Sequence, residues 1–364
     1  MSREITSVSK TTQKFFDSAA AVFVITQEDI RRSGVTSIAE ALRLAPGMSV
    51  AQVDASKWAI SARGFNSRFA NKMLVLIDGR PVYTPIFSGT FWEAINLVLE
   101  DIERLEVIRG PGASLWGTNA VNGVINIITK PAQATQGGLV SLTAGNEDRG
   151  IVELRYGAEY AEQLFFRAYG KYANRDGLVD INDADAGDDW QLKRGGFRAD
   201  WHLSANDTVM LQGDIYDGDT DQNFIVPSGA SPTGGERVLN DGNFAGGWLM
   251  SRWEQAQSLS SRTALQTYYQ KEKRHDLLAN YQLDTFGAEF QHELALFKHH
   301  ELIWGLDYRF HTDKFMDAPL LVVSPKDRDY SLFSLFLQDR IALFDERVEL
   351  TLGSKFEHNS FTGW

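Results

Sequence analysis

Residues whose spacing could support catalysis are present in this chain, but each set is incomplete. His292-Glu293-Leu294-Ala295-Leu296 opens as a zinc-hydrolase helix does, with a ligand histidine followed by a general-base glutamate. The second histidine, needed one helical turn later, is replaced by Leu296, and His299-His300 nearby reads as a solvated turn. Gly110-Pro111-Gly112 lacks the third glycine of a dinucleotide turn, and no Gly-Lys-[Ser/Thr] follows to cradle a phosphate. No serine sits in a nucleophile elbow. The carboxylates are more suggestive. Asp180, Asp183, Asp185, Asp188 and Asp189 fall in one expected loop, and Asp217, Asp219 and Asp221 in another spanning Asp217–Asn243. The second set starts with the spacing of a Ca²⁺ loop, but Gln222 replaces the turn glycine and Ser228 the closing glutamate. A solvated acidic loop is the default reading, with a weak Ca²⁺ site on the outer loops as the alternative.

What remains is the chemistry of binding. Asn66–Asn71 and Tyr83–Trp92 are turn-rich yet aromatic. Phe65, Phe69, Tyr83, Phe87, Phe91 and Trp92 are too many for one small core. Either half of them pack against the domain that follows, or they form an aromatic ligand platform on loops. Arg63, Arg104 and Arg109 lie at the ends or polar faces of expected strands, where Glu100, Asp101, Glu103 and Glu106 could pair with them.

These residues need a scaffold, and the pattern supplies one of two textures. Met73–Ile77, Leu105–Ile108 and Val124–Ile128 are short apolar runs bounded by Gly, Asp or Pro and read as buried strands. Asp78-Gly79 turns the first, since Gly accepts positive φ. Thr26 with Asp29, and Ser37 with Glu40, cap short helices over Gln27–Arg32 and Ile38–Leu44, stopped by Gly34 and by Pro46-Gly47. Met48–Gln52 and Trp58–Arg63 read as strands, so residues 21–131 form an α+β domain. After a small polar linker, Ala132–Gly138, long strands with period two begin. Leu302, Trp304, Leu306, Tyr308 and Phe310 alternate with Ile303, Gly305, Asp307 and Arg309. An apolar, aromatic face opposite a polar one, on strands of roughly 10–15 residues, is the signature of a transmembrane β-barrel. About eleven strands are expected between Gly138 and His358, with short turns after every second one and longer links such as Asn174–Asp188 and Lys314–Arg328 between.

The motifs now carry a resemblance. Leu76-Ile77-Asp78-Gly79-Arg80-Pro81-Val82, the run from Asp101 to Gly117, and Asn119–Lys130 resemble the plug domain of TonB-dependent outer-membrane receptors of the siderophore or cobalamin type. The match covers about the first third of the chain. It implies a plug in an antiparallel transmembrane barrel over 138–364, and no bond made or broken. Ligand, a metal chelate, would meet the plug's apical loops at Asn66, Arg68, Phe69, Tyr83, Phe87, Phe91 and Trp92. Arg63, Gly64, Asp78, Gly79, Arg109, Gly110, Pro111, Gly112 and Gly117 would be structural, with charged plug–barrel contacts holding the plug. Within residues 1–20, Ile5-Thr6-Ser7-Val8-Ser9 sits where the family carries its TonB box, a segment gripped by strand addition.

Composition agrees in what it excludes. A net charge of −12 argues against nucleic-acid partners, and the absence of cysteine rules out disulfides and thiolate metal sites. No apolar run reaches the ~18–20 residues of a membrane helix, so a membrane protein here must be a barrel with lipid outside. No secretory signal precedes Ile5, and an outer-membrane protein needs one, so it is expected to be removed or to lie outside the chain. A plug of this size, roughly 25–30 Å across, needs a wider wall than about eleven strands enclose. The expectation is therefore an N-terminal portion holding the plug and about half of a 22-stranded barrel, in the outer membrane of a Gram-negative bacterium. The rival from another class is a soluble β-rich binding or adhesion protein.

Overall fold

A computed structural model describes residues 21–110, 116–117, 119–180, 182–227, 235–296, 299–344 and 347–364, and the backbone of 4–5 and 13–14. The last two segments form a minimal pair, β1 (Glu4–Ile5) with β2 (Gln13–Lys14).

The N-terminal head begins with β3 (Ala21–Thr26) and α1 (Gln27–Ser33). Thr26 and Asp29 form a reciprocal capping box, satisfying amide donors that the first helical turn leaves open, and Gly34 ends the helix at φ 71°. Ser37 caps α2 (Ile38–Ala41), whose expected continuation to Leu44 tightens into a 3₁₀ turn ahead of Pro46. The hairpin β4 (Met48–Gln52) and β5 (Trp58–Ala62) follows. β5 stops one residue short of the expected Arg63, because Arg63, Gly64 and Phe65 all take positive φ. Then come β6 (Met73–Ile77), β7 (Arg80–Pro81), β8 (Ile102–Arg109) and β9 (Gly123–Thr129).

They form a five-stranded sheet in the order β3-β8-β9-β6-β7, parallel only between β6 and β9. Both faces are buried. Ile25, Val75, Leu105 and Ile125 pack with Ile38, Leu42 and Trp58 on one side, and Val24, Leu74, Ile108 and Val124 cluster on the other. That is why β6 reads as an unbroken apolar run rather than an alternating one. Side chains of the size of Leu42, Ile60, Leu76 and Leu105, all fully buried, each contribute about 1.5–3 kcal/mol.

The wall is one antiparallel meander of eleven strands, each paired with its sequence neighbour. They are β10 (Gly137–Thr143), β11 (Asp148–Tyr160), β12 (Leu164–Arg175), β13 (Trp190–His202), β14 (Asp207–Pro227), β15 (Gly235–Ser258), β16 (Ser261–His275), β17 (Asn280–Leu296), β18 (His300–Met316), β19 (Asp327–Leu343) and β20 (Val348–Asn359). β10 and β20 each have one partner, so the sheet is open. Short turns such as 161–163 and 259–260 lie at the end where the head feeds β10, and the longer links 176–189 and 317–326 lie at the other. Outward positions are apolar and exposed: Leu154, Phe197, Leu249, Phe286, Leu306, Tyr308, Phe333, Leu335 and Phe356. Inward positions are polar and buried against the head: Glu153, Arg167, Lys171, Arg194, Gln212, Gln266 and Arg274. No helix among the described residues is long and apolar enough to cross a membrane.

Two expectations are corrected. The described parts of Asp217–Asn243, residues 217–227 and 235–243, are strand and not loop. They pair rung by rung, from Asp217↔Ala245 to Pro227↔Gly235, and ladder hydrogen bonds override the poor strand propensity of Asp and Gly. Asp217, Asp219 and Asp221 therefore stand on β14 at alternate positions, about 6.8 Å apart per step, too spread for one ion. No group of three or more His, Asp or Glu among the described residues is placed to hold a metal. The expected linker Ala132–Gly138 is also not free. Ala132–Thr135 is a 3₁₀ turn tied to the wall by Ala132 N–H donating to Asp200 (2.6 Å) and by Arg167, which donates to the Lys130 carbonyl.

Candidate functional site

The two aromatic loops of the head are built by backbone geometry that few residues permit. Successive positive φ at Arg63 (59°), Gly64 (89°) and Phe65 (55°) swing the chain sharply after β5. Asn66 pins the loop by donating to the Ser49 hydroxyl at 3.0 Å. In the second loop, Thr84 and Gly89 exchange backbone hydrogen bonds of 2.8 and 3.3 Å, closing a tight tip. Gly89 is required there, since a Cβ would lie 2.8 Å from the Cα of Phe69. The two loops are thus packed as one unit.

On that unit Phe69 stacks on Phe87 (5.5 Å) and meets Phe91 edge-on (5.5 Å). The cluster continues into the wall through Tyr281, 6.1 Å from Phe87, and Phe315, 5.7 Å from Tyr281. Phe91 is buried beneath the Arg274 guanidinium (3.9 Å), and Trp92 belongs to the core of the head. Phe69, Tyr83 and Phe87 stay half-buried, and Phe65 stands clear at 74 % exposure. Burial raises the Tyr83 hydroxyl pKa, keeping it protonated.

Between the Tyr83–Ser88 loop and β16–β19 opens a cleft of 470 Å³. The wall contributes Thr285, Arg309, His311, Asp313, Arg328 and Tyr330. His311 Nδ1 bonds the Thr285 hydroxyl at 2.9 Å and its ring stacks on Tyr330 at 4.8 Å. Arg309 is paired with Asp307 at 2.7 Å, while Arg328 Nε has no hydrogen-bond partner among the described residues. None of these wall residues stood out in the sequence. The available signal was the inward period-two register 307, 309, 311, 313 carried to the end of β18.

Behind the aromatic loops runs a seam of buried charge. Glu93 binds Arg274 of the wall (2.8 Å) and Arg68 of the loop (3.6 Å). Burial alone would raise its carboxyl, but Arg274, Arg68 and Lys57 outweigh that and hold its pKa below the usual carboxylate value. Burial lowers the Arg68 pKa, against the pull of Glu93. Asp101 pairs with Arg155 and with Arg167 (3.5 Å). Lys171 and Arg194 donate to the carbonyls of Leu97 and Ala94.

Asp78 does more than turn the chain. It and Gly79 take φ 49° and 82°, a hairpin turn, while its carboxylate accepts from Thr129 N–H (2.9 Å), the Thr129 hydroxyl (2.8 Å) and Gln212 of the wall (2.9 Å). Arg104 pairs with Glu103 and Glu106 as expected. Arg63 and Arg109 do not pair with the nearby acids. They donate to the carbonyls of Arg109 (3.1 Å) and Pro46 (2.7 Å), stapling strand ends. Gly110 (φ 143°) and Gly117 (φ 90°) occupy backbone regions that favour glycine. Pro111 and Gly112 lie outside the described residues, as do Thr6, Ser7, Val8 and Ser9.

A buried five-stranded head docked by ion pairs against a wall that is oily outside and polar inside has close counterparts. Residues 14–124 match the TonB-dependent receptor plug domain, and residues 133–364 match the TonB dependent receptor-like β-barrel. The chain belongs to the TonB-dependent receptor family. The head is its plug and the wall is barrel. Among curated relatives, the vitamin B12 transporter BtuB of Vibrio vulnificus is 28 % identical over 205 residues, covering 56 % of this chain and 33 % of that protein. The ferric enterobactin receptor PirA of Pseudomonas aeruginosa is 29 % identical over 254 residues, covering 58 % and 33 %. The chain thus spans about a third of the length of these relatives. In fold it resembles the ferripyoverdine receptor of Pseudomonas aeruginosa, with a TM-score of 0.74 at 15 % identity over 98 % of this chain and 54 % of that one. The siderophore receptor PirA gives 0.70 at 21 %, over 95 % and 57 %.

Proposed function

We propose that this receptor binds and takes up a metal chelate across the outer membrane of a Gram-negative bacterium, with a ferric siderophore as the best-supported cargo, and that TonB supplies the work of release. The observation that carries the cargo class is the cleft beside Tyr83–Ser88. Arg328 brings a guanidinium whose Nε has no hydrogen-bond partner among the described residues, Arg309 brings one already paired with Asp307, Asp313 stands in the same lining, and Tyr83, Phe87, His311 and Tyr330 bring flat faces. An anionic chelate with aromatic donor groups would meet charge-assisted hydrogen bonds and stacking at once. The cleft volume, 470 Å³, lies within the ~300–1,000 Å³ range of small-molecule sites. The likeness to a vitamin B12 transporter supports a second reading, a corrinoid cargo in the same cleft.

Tight binding of a scarce cargo slows its release, which is the physical reason for an external energy source. In this proposal cargo contacts Asn66, Arg68, Phe69, Tyr83 and Phe87, with Phe91 and Trp92 behind them as support. TonB pairs with Ile5, Thr6, Ser7, Val8 and Ser9 by strand addition. The protein acts as a receptor and not as an enzyme. Binding of ferric enterobactin and of cyanocobalamin to membranes carrying the receptor tests this. Ferric enterobactin should bind, and Arg328→Ala should weaken it about tenfold, roughly 1.4 kcal/mol. Binding of cyanocobalamin alone would establish the corrinoid reading; binding of neither would remove the assigned cargo class.

A further inference from the structure

Inward acids of the wall are met by cations of the wall. Glu153 is paired with Lys171 at 2.8 Å, Asp214 with Arg194 at 2.6 Å and Asp307 with Arg309 at 2.7 Å. The physical reason is that a buried carboxylate loses its hydration, and only an opposite charge or hydrogen bonds make up for it. Asp313 departs from this pattern. It continues the inward register of β18 beyond Asp307, Arg309 and His311, lines the cleft beside Tyr83–Ser88 and is only 5 % exposed. Its Oδ1 has no hydrogen-bond partner among the described residues.

Directly across the ladder from Asp313 stands Arg328 of β19. Residues on one antiparallel rung lie about 4.5–5.5 Å apart at Cα, so the two side chains are neighbours. The Arg328 Nε is nevertheless also without a hydrogen-bond partner among the described residues, and Arg328 lines the same cleft. One rung thus offers an open acceptor and an open donor side by side. An ionised carboxylate only accepts and a guanidinium only donates. Arg328 therefore calls for an oxygen, and Asp313 for an N–H or O–H group.

The surroundings choose between a neutral donor and a cation. Phe315, Leu321 and Val323 line the same cleft, and Arg309 is already neutralised by Asp307. Asp313 and Arg328 are left with the cleft's open charge, one of each sign. A purely anionic ligand finds one favourable partner and one unfavourable one, whereas a ligand with an ammonium beside an oxygen finds two favourable ones. A neutral donor would fill the hydrogen bond of Asp313 and leave its charge uncompensated against apolar neighbours. A charge-assisted bond is also about twice as strong as a neutral one. Burial raises the Asp313 pKa, opposed by Arg328 and assisted by Asp327 and Asp329, and a cation seated beside it would act in the opposite direction.

We propose that Asp313 sets the selectivity of the cleft, and that the preferred cargo is a metal chelate bearing a protonated amine, which sits on Asp313 while an oxygen of the chelate sits on Arg328. This rests on the chelate reading above and narrows it. Ferric enterobactin, which carries no amine, uses the Arg328 side alone.

Two matched iron(III) hydroxamates test it: ferrioxamine B, which ends in a free ammonium, and its N-acetyl derivative, which lacks that charge. Membranes carrying the parent receptor should hold ferrioxamine B about tenfold more tightly than the acetylated form. Asp313→Asn, nearly isosteric, should bring the two to near equality and should bind ferric enterobactin at least as tightly as the parent does. Arg328→Ala should weaken both hydroxamates alike and keep their ratio. Asp329→Asn, on the outward rung Thr312↔Asp329, should also keep it. The ratio is taken within each variant, so a partial loss of folded protein does not alter it. Equal binding of the two hydroxamates by the parent, binding of neither, or a preference that survives Asp313→Asn overturns the proposal; the chelate reading then stands if ferric enterobactin still binds. Failure of the hydroxamates, ferric enterobactin and cyanocobalamin alike overturns both.

Discussion

Glu93 shows how much of this receptor's assembly rests on single buried groups. Its carboxylate is the common partner of Arg68 and Arg274, two cations that would otherwise repel each other. Glu93→Gln should leave Arg68 without its ion-pair partner and Arg274 with only the more distant Asp276 (3.8 Å), and cost about 3–5 kcal/mol, as loss of one partner from a buried pair does; urea unfolding of the plug in detergent would read it. The pH dependence has a fixed sign. A carboxyl with a folded pKa below its ordinary value of 4.5 stabilises the fold above that value, and the contribution is lost as pH falls through the folded pKa. Acid melting followed downward from pH 5 should therefore be less steep in Glu93→Gln than in the parent. Gly89 is a second such position. Gly89→Ala places a methyl 2.8 Å from the Phe69 backbone, an overpacking worth about 1–3 kcal/mol, and it should weaken cargo binding through the loops rather than through any lost contact. A variant that melts and binds as the parent does would show that the loop pair yields freely.

Elements in this molecule are specified by two different patterns. In the plug, short strands are buried on both faces and bounded by caps and glycine turns, so local chemistry sets their ends. In the wall, period two sets the faces and the ladder sets the length. The wall strand β19 presents Phe333, Leu335 and Leu337 outward and Ser334, Phe336 and Gln338 inward. Leu335 stands beside Leu306 and Phe356 on its neighbours. Leu335→Arg should destabilise the wall in a bilayer by about 2–4 kcal/mol and change little in a detergent whose headgroups reach that surface. Equal loss in both media would mean that this face is not lipid-bound. At the head, removing the reciprocal cap with Thr26→Ala should cost about 1 kcal/mol, measurable as a lower melting temperature of the plug.

Across the whole molecule the plug and wall are joined by direction as well as number of contacts. Wall cations reach inward to plug carboxylates and to plug carbonyls, as with Arg155 and Arg167 at Asp101, Arg274 at Glu93, and Lys171 at Leu97. The aromatic cluster from Phe69 through Tyr281 to Phe315 bridges the same boundary. The loops proposed to meet cargo are thus already in contact with the wall.

The sequence alone pointed to the family, the positions of the main plug strands, the caps and the apolar outer face, because each depends on residue types within one turn or one rung of each other; the order of those strands in the sheet came only with the tertiary structure. The Ile77-Asp78-Gly79 turn and the alternation in β18 were legible for that reason. Only tertiary structure decided the partners. Arg63 and Arg109 staple carbonyls instead of meeting the acids beside them, and Asp78 and Asp101 serve the wall. Residues 217–227 and 235–243 became strand through their ladder. Arg328, His311 and Tyr330 joined Tyr83 only once some 250 residues of chain had been wound into a wall. Pairing across such separations depends on where the strands bring side chains together, and no local pattern records it.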